Sequence, residues 1–372
     1  MTHPLKNAYL PTVLVFLVFV FGVAVLSILG NDEDSSVLER RALAQSPSID
    51  FAAILDGDFS EDYATYLQDQ MVVRDDFRFV KSFVERVILR KPENNGVYVV
   101  DGRLYDKFYG IEELLISRAA RLINSIAQDS GSNAIYFSTI PTKAQILDRD
   151  RFLLSDQQII TDAIRQGVDA NYVDLMWLAQ PGNEELYYAT DPHWTTPGAL
   201  SAYKALASAL GFDPVDTYEF EIETDTYRGS EYGRAASWSI GDDTVLLAHN
   251  DSIDGMSLCR FSSLEERKCF ESVYLQEGEN TMDAYDVFLG GLGPIITIDN
   301  PSSSTDAELV IFKDSYAHAV APFLAQHYKT VTLIDMRFVR RQLVLDNFSL
   351  AEKDILFLYS TSVLNTDPQI LN

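Results

Sequence analysis

The chain has 372 residues, 47% of them hydrophobic, with 55 Asp and Glu against 29 Lys and Arg and a formal net charge of −26. That balance argues against nucleic acid as a partner, because phosphate binding needs a basic surface, and against broad docking on anionic lipid. The length suits one large domain or two ordinary ones, and 21 Phe and 19 Tyr supply an ample core.

The run from Tyr9 to Gly30 carries no charge. At about 1.5 Å per residue it spans a bilayer core of about 30 Å, so it is read as a single transmembrane anchor. A cleaved signal peptide is the main rival, but its apolar region usually has roughly 7–15 residues. Lys6 before the run and Asn31 to Asp34 after it place the short tail, residues 1–8, in the cytoplasm and the rest outside, with Arg40 and Arg41 weakening the bias. Residues 31–58 are acidic and read as a stalk. From Phe59 to Leu89, apolar residues recur mostly at three- and four-residue steps (Tyr63, Tyr66, Leu67, Phe79, Phe83, Val84, Val87), which predicts helix. "NNGVYVVDGRLYD" predicts a hairpin turning at Asp101-Gly102.

Strand-like and helical stretches then alternate. Asn133 to Pro141, the start of Asn171 to Leu178, Ala307 to Asp314, Thr330 to Asp335 and Asp354 to Ser360 read as strands with helices between them. This predicts an α/β fold with a mainly parallel sheet and helices on both faces. The segment from about 212 to 300 is polar and irregular and reads as a β-rich insertion. It holds the only two cysteines, Cys259 and Cys269. Outside the cell they can close a local disulfide loop; two free thiols are the alternative. CxxC spacing is absent, so no zinc site is expected.

Two segments carry candidate chemistry. In "LVIFKDSYAHAVAPFLAQHY" an apolar strand ends at Lys313-Asp314, Ser315 follows, and a helix begins. Ser315 is either a helix N-cap or a hydroxyl at the carboxyl edge of the sheet, where helix N–H groups can stabilise an oxyanion. In "YYATDPHWTTPGAL" Thr196-Pro197 predicts a helix start. Asp191 and His193 sit on the loop before it. A carboxylate two residues from a histidine can orient the ring through Nδ1, leaving Nε2 to take a proton from a serine. The other reading of His193 is a histidine satisfied within the surface or core. Trp194 walls a site or anchors the loop. Arg337 in "IDMR" binds a sugar hydroxyl or carboxylate, or pairs with an acidic neighbour; Lys143 in "IPTK" is similar. Tyr316 is pocket wall or packing, and His318 lies one helical turn past Ser315.

Together, "TDPHWT…GA" and "KDSYAH…PFLAQHY…IDMR" resemble the DHHW family, relatives of the alginate O-acetyltransferases within the SGNH-hydrolase superfamily. "GDFSEDYATYLQDQMVVRDDF", "IPTK" and "YDVFLGG" fit the same pattern, so the resemblance covers nearly everything after the anchor. It implies an SGNH-hydrolase-like three-layer sandwich over residues 59–372. It also implies Ser315 as nucleophile, His193 as base and acid and Asp191 as its orienter, with no metal and no cofactor. Pro192 stands where the family has its second histidine, and Lys313 where the wider superfamily has the Gly of G-D-S, which leaves the oxyanion donors open. The expected function is O-acetyl transfer to, or removal from, a cell-surface or secreted polysaccharide, with a membrane-bound O-acyltransferase as partner supplying acetyl groups. A non-catalytic glycan-binding or assembly protein on the same fold is the alternative.

Overall fold

A computed structural model describes residues 9–49, 51–132, 134–263, 266–275 and 283–368. Lys6 and the expected cytoplasmic tail lie outside the described residues. The chain divides into two compact units, one of residues 1–95 with 232–239, the other of residues 96–231 with 240–372. The division falls after Asn95, whereas the sequence reading starts the main domain at residue 59.

In the first unit, α1 (Leu10–Leu29) is apolar on every side, with none of its residues buried, and is long and apolar enough to cross a membrane. The acidic stretch after it is not simply extended: Ser35–Ser36 pairs with Arg41–Ala42. The predicted helix from Phe59 is two helices, α2 (Asp58–Asp69) and α3 (Arg74–Phe83), the latter prolonged by a π turn over Val84–Ile88. The break lies at Val73, which has a left-handed backbone, φ 56°. Half-buried ion pairs tie the unit together. Asp69 takes a two-pronged contact from Arg41 at 2.6 and 2.7 Å, and Glu39 pairs with Arg74 and, at 3.0 Å, with Arg78.

The second unit opens with the expected hairpin, β1 (Val97–Val100) and β2 (Arg103–Asp106), with Val100 facing Arg103 across Asp101-Gly102. Both turn residues have positive φ, as a two-residue turn of this kind requires. The main elements then follow as α4 (Glu113–Ser130), β3 (Ile135–Ile140), α5 (Gln157–Gly167), β4 (Asn171–Tyr172), α6 (Thr196–Ala209), β5 (Glu219–Tyr227), β6 (Asp243–His249), β7 (Ser257–Phe261), β8 (Arg267–Phe270), β9 (Ile295–Asp299), β10 (Glu308–Lys313), α7 (Ala317–Ala325), β11 (Thr330–Ile334), α8 (Arg341–Asn347), β12 (Asp354–Ser360) and α9 (Thr361–Thr366). Eight strands form one sheet in the order β8-β7-β9-β11-β10-β12-β3-β4. The pairings from β11 to β4 are parallel, and those from β11 out to β8 are antiparallel.

The central strand β10 shows why the layers form. Leu309, Val310, Ile311 and Phe312 are all buried, the continuous apolar run of a strand covered on both faces. Leu309 and Ile311 join the cluster built with α6 and α7; Val310 and Phe312 join the one built with α4 and α5. Each such side chain contributes roughly 1.5–3 kcal/mol by leaving water. The result is the expected sandwich of helices, mainly parallel sheet, and helices.

The segment read as an insertion does not stand apart. β7, β8 and β9 extend the main sheet, and β5 and β6 form a hairpin of their own. Cys259 and Cys269 face each other across β7 and β8 and are disulfide-bonded. A loop this short implies about 2–3 kcal/mol of chain-entropy stabilisation. Replacing both cysteines with serine should lower the unfolding free energy by about that amount, measured by denaturant titration. Wild-type protein under reductant should match the variant.

Candidate active site

Ser315 follows β10 at the carboxyl edge of the sheet, in the turn before α7. It is not the helix cap. Tyr316 occupies that position without a side-chain cap bond, and the Ser315 hydroxyl turns to His193 instead. The N–H groups of Ala317 and His318 are satisfied within the turn, by the carbonyls of Asp314 and Ser315, each at 3.2 Å. The first turn of α7 therefore does not offer these two donors to an oxyanion. Asp314 ties the turn to the neighbouring strand, its carboxylate accepting the N–H of Tyr316 at 3.1 Å and that of Ser360 at 2.6 Å.

The other half comes from the loop before α6. That helix starts one residue earlier than Thr196-Pro197 suggests. Thr195 is the cap, accepting the N–H of Gly198, while the Thr196 hydroxyl donates to the Leu246 carbonyl at 2.5 Å. Of the two adjacent threonines, the one in extended backbone takes the cap. The loop is fixed from several directions. Asp243 accepts the N–H groups of Ala189 and Thr190 at 2.8 and 2.7 Å. Lys143 Nζ donates to the carbonyls of Tyr188 and Asp191, both at 2.7 Å.

The two halves meet. His193 Nδ1 lies 2.6 Å from Asp191 Oδ1, and His193 Nε2 lies 2.8 Å from Ser315 Oγ. Asp191 is buried. Its Oδ1 also accepts the His193 N–H at 3.1 Å, and its Oδ2 accepts the N–H and hydroxyl of Ser230 at 2.9 and 3.2 Å. An ionised Asp191 fixes the proton on Nδ1 and leaves the Nε2 lone pair for the serine hydroxyl. Burial pulls the His193 imidazolium down, but Asp191, with Asp283 and Asp314 farther off, outweighs it and holds the pKa above the ordinary imidazole value. The His193 side chain keeps 14% exposure and Ser315 is half-buried, so solvent reaches the pair.

The remaining residues singled out in the sequence are placed differently from a substrate-binding set. Trp194 is buried, edge-on to Tyr316 at 5.3 Å; it anchors the loop. Lys143 is buried against Glu231 at 2.5 Å as well as the loop carbonyls, which leaves no ammonium for a sugar. Arg337 is held by both oxygens of Asp335 at 2.9 and 2.7 Å, the pairing with an acidic neighbour. Tyr316 is buried with its hydroxyl on the Pro192 carbonyl at 2.7 Å, and its ring lies 4.8 Å from His193, so it backs the base. His318 accepts from Lys313 Nζ at 2.7 Å. Burial, with the Lys313 charge beside it, pushes His318 well below the ordinary value, and burial lowers Lys313 to about 8.

Three contributors escape the sequence reading. Tyr285 stacks on His193 at 4.1 Å; it opens "YDVFLGG" but carries no motif of its own. Ser230 and Gly229 come from the segment read as irregular. A Cβ on Gly229 would lie 2.2 Å from Asp191 Cβ and 2.5 Å from the Thr190 carbonyl, so the close approach under Asp191 requires glycine.

Helices on both faces of a mainly parallel sheet give an SGNH-hydrolase-like α/β fold, with Ser315, His193 and Asp191 in contact at its carboxyl edge. The chain belongs to the DHHW family: the family model described as DHHW protein matches residues 89–334. A DHHW family protein from Eubacterium siraeum has the same fold, with a TM-score of 0.62 and 21% identity, covering 74% of this chain and 94% of that one. Bacillus cereus PatB1, solved with a sulfonyl adduct, gives 0.57 and 18%, covering 74% and 96%. The O-acetyltransferase domain of Pseudomonas putida AlgJ gives 0.45 and 16%, covering 74% and 97%. No curated protein sequence matches the chain.

Gly229→Ala should destabilise the protein by about 1–3 kcal/mol through overpacking and weaken the Asp191–His193 bond, read as an upfield shift of the Nδ1 proton. Gly241→Ala, where an added Cβ meets nothing within 4 Å, is the control. Lys143→Met should cost about 3–5 kcal/mol by leaving Glu231 buried without its partner. The double variant with Glu231→Gln should recover part of that loss in thermal unfolding.

Proposed function

We propose that this protein is an O-acetyltransferase or O-acetylesterase that acts on a cell-surface or secreted polysaccharide through an acetyl-enzyme on Ser315. The observation that carries the reading is the continuous relay from Asp191 through His193 to Ser315 Oγ. Membership of the DHHW family, with its resemblance to the alginate O-acetyltransferases, supports the choice of acetyl as the group moved. His193 Nε2 takes the Ser315 proton as Oγ attacks the acetyl carbonyl of a donor. The same proton passes to the departing oxygen as the donor's acyl bond breaks. A sugar hydroxyl, or water in an esterase, then attacks the acetyl-enzyme. Its proton goes to His193 and returns to Ser315 Oγ as the acetyl group leaves. A metal has no part in these steps.

The reading includes topology and a partner. α1 crosses the cytoplasmic membrane with the amino terminus inside, and the catalytic unit works outside. Acetyl-CoA is confined to the cytoplasm, so a transferase needs its acetyl group delivered across the bilayer. A membrane-bound O-acyltransferase supplies it.

Ser315→Ala should abolish release of acetate from an aryl acetate ester and prevent the acetyl adduct on residue 315 that mass spectrometry detects in the wild type. A protein that only binds glycan would show neither activity nor adduct before substitution. The rate of acetyl-enzyme formation should rise with pH through an ionisation above 6.5, the ordinary imidazole value, because His193 acts as a base only when neutral. Asp191→Asn removes the charge that raises this ionisation. It should move the profile to lower pH and lower the plateau by about three to four orders of magnitude.

A further inference from the structure

Two tyrosines join the halves of the candidate site. The contact between His193 Nε2 and Ser315 Oγ spans 122 residues of sequence, so its length depends on how the two loops are held against each other. Tyr316 leaves the serine's turn and crosses to the histidine's loop. Its hydroxyl donates to the Pro192 carbonyl at 2.7 Å, and its ring meets Trp194 edge-on at 5.3 Å. Tyr285 belongs to neither loop and touches both. Its ring lies flat on His193, with centroids 4.1 Å apart and planes 12° from parallel, and its hydroxyl reaches the Ser315 carbonyl at 3.4 Å. Each strut thus ends on a main-chain carbonyl, that of Pro192 beside the base or that of Ser315 itself.

Both rings are buried and held by their own surroundings. Asp283 Oδ1 accepts the Tyr285 N–H at 2.9 Å and the Tyr227 hydroxyl at 3.0 Å. Phe288 packs on the Tyr285 ring at 5.2 Å, and Tyr188 meets it edge-on at 6.3 Å. Asp314 accepts the Tyr316 N–H at 3.1 Å. The need for such bracing lies in the histidine. The torsion that turns an imidazole about its Cβ–Cγ bond has a broad well. The bond from Nδ1 to Asp191 fixes one ring nitrogen, but a tilt that spares this bond still swings Nε2 away from Oγ. A flat aromatic partner removes that tilt. A displacement of about 1 Å between reacting groups costs roughly 100-fold in rate.

We propose that Tyr285 and Tyr316 are positioning residues that together set the distance from Ser315 Oγ to His193 Nε2, Tyr285 through the plane of the imidazole and Tyr316 through the place of its loop. The inference rests on Ser315 being the nucleophile of the proposed reaction, whatever group it carries. The test therefore uses a probe that needs no acetyl donor. Phenylmethanesulfonyl fluoride forms a bond from its sulfur to Oγ as fluoride leaves and the hydroxyl proton passes to His193. The rate is read by mass spectrometry of the full chain. Tyr285→Leu should slow sulfonylation about 10- to 100-fold. Tyr285→Phe, which keeps the ring, and Tyr316→Phe should each slow it roughly two- to tenfold, as loss of one hydrogen bond does. The double Phe variant should lose more than the product of the two, because both struts span the same gap. Imidazole NMR separates positioning from a general loosening. In Tyr285→Leu the Nδ1 proton should keep its wild-type resonance, because Asp191 still holds it, while the Nε2 shift moves toward that of a ring without a partner. Wild-type rates in Tyr285→Leu, losses that merely multiply in the double variant, or Nδ1 and Nε2 resonances that move together would overturn the proposal; the Phe variants decide it alone if Tyr285→Leu does not fold. Sulfonylation of the wild type without an acetyl adduct would sink acetyl transfer and leave the brace standing. A wild type inert to the probe at Ser315 would overturn both.

Discussion

The site depends on how a single buried carboxylate is shared. Asp191 gives one oxygen to the backbone and ring of His193 and the other to Ser230. A charge so far from water persists only when its lone pairs find donors, and here two backbone N–H groups, the His193 ring and the Ser230 hydroxyl supply them. Those donors are in place only because Gly229 lets the chain pass against Asp191, and because Asp243 and Lys143 fix the loop from the other side. The tautomer of His193, its raised pKa and the direction of its Nε2 lone pair all follow from that one arrangement.

Around the carboxyl edge of the sheet, several charged residues that look directed at a ligand are occupied with one another. Lys313 stands where the superfamily has a glycine. Its ammonium donates a hydrogen bond to the neutral ring of His318 and lies 3.4 Å from Asp335, which in turn holds Arg337. Removing Asp335 would leave Lys313 without its counter-charge and Arg337 without its two-pronged partner, so the group is coupled through that carboxylate. The Lys313 ammonium is taken up by His318 and Asp335 and does not point at the serine.

Much of this was legible in the sequence. The strands of the parallel half were marked by continuous apolar runs, and the hairpin at Asp101-Gly102 by its turn residues. The long apolar helix α1 was marked by an uncharged run, and Asp191, His193 and Ser315 by residue type beside helix starts. What escaped has physical causes. The segment after residue 212 looked irregular because short antiparallel strands at the edge of a sheet are half-exposed and mixed in polarity, yet three of them belong to the main sheet. Gly229 and Ser230 act through backbone position, which composition does not reveal. Lys143, Arg337, Trp194 and Tyr316 were chemically plausible ligand groups, and only packing shows them buried or paired. The break at Val73 arises from a left-handed residue of a type that rarely adopts that conformation.

The order of the pieces along the chain has a consequence for biosynthesis. Residues 191 and 193 come first, then 229 and 230, then 243 and 285, and Ser315 last, 122 residues after His193. The strand that presents Ser315 lies at the centre of the sheet, between β11 and β12, both of which emerge later still. Contacts this distant in sequence form slowly and late. A chain emerging during synthesis therefore carries His193 and Asp191 long before Ser315 is there to meet them. The constellation is complete only when the sheet closes around its last strands.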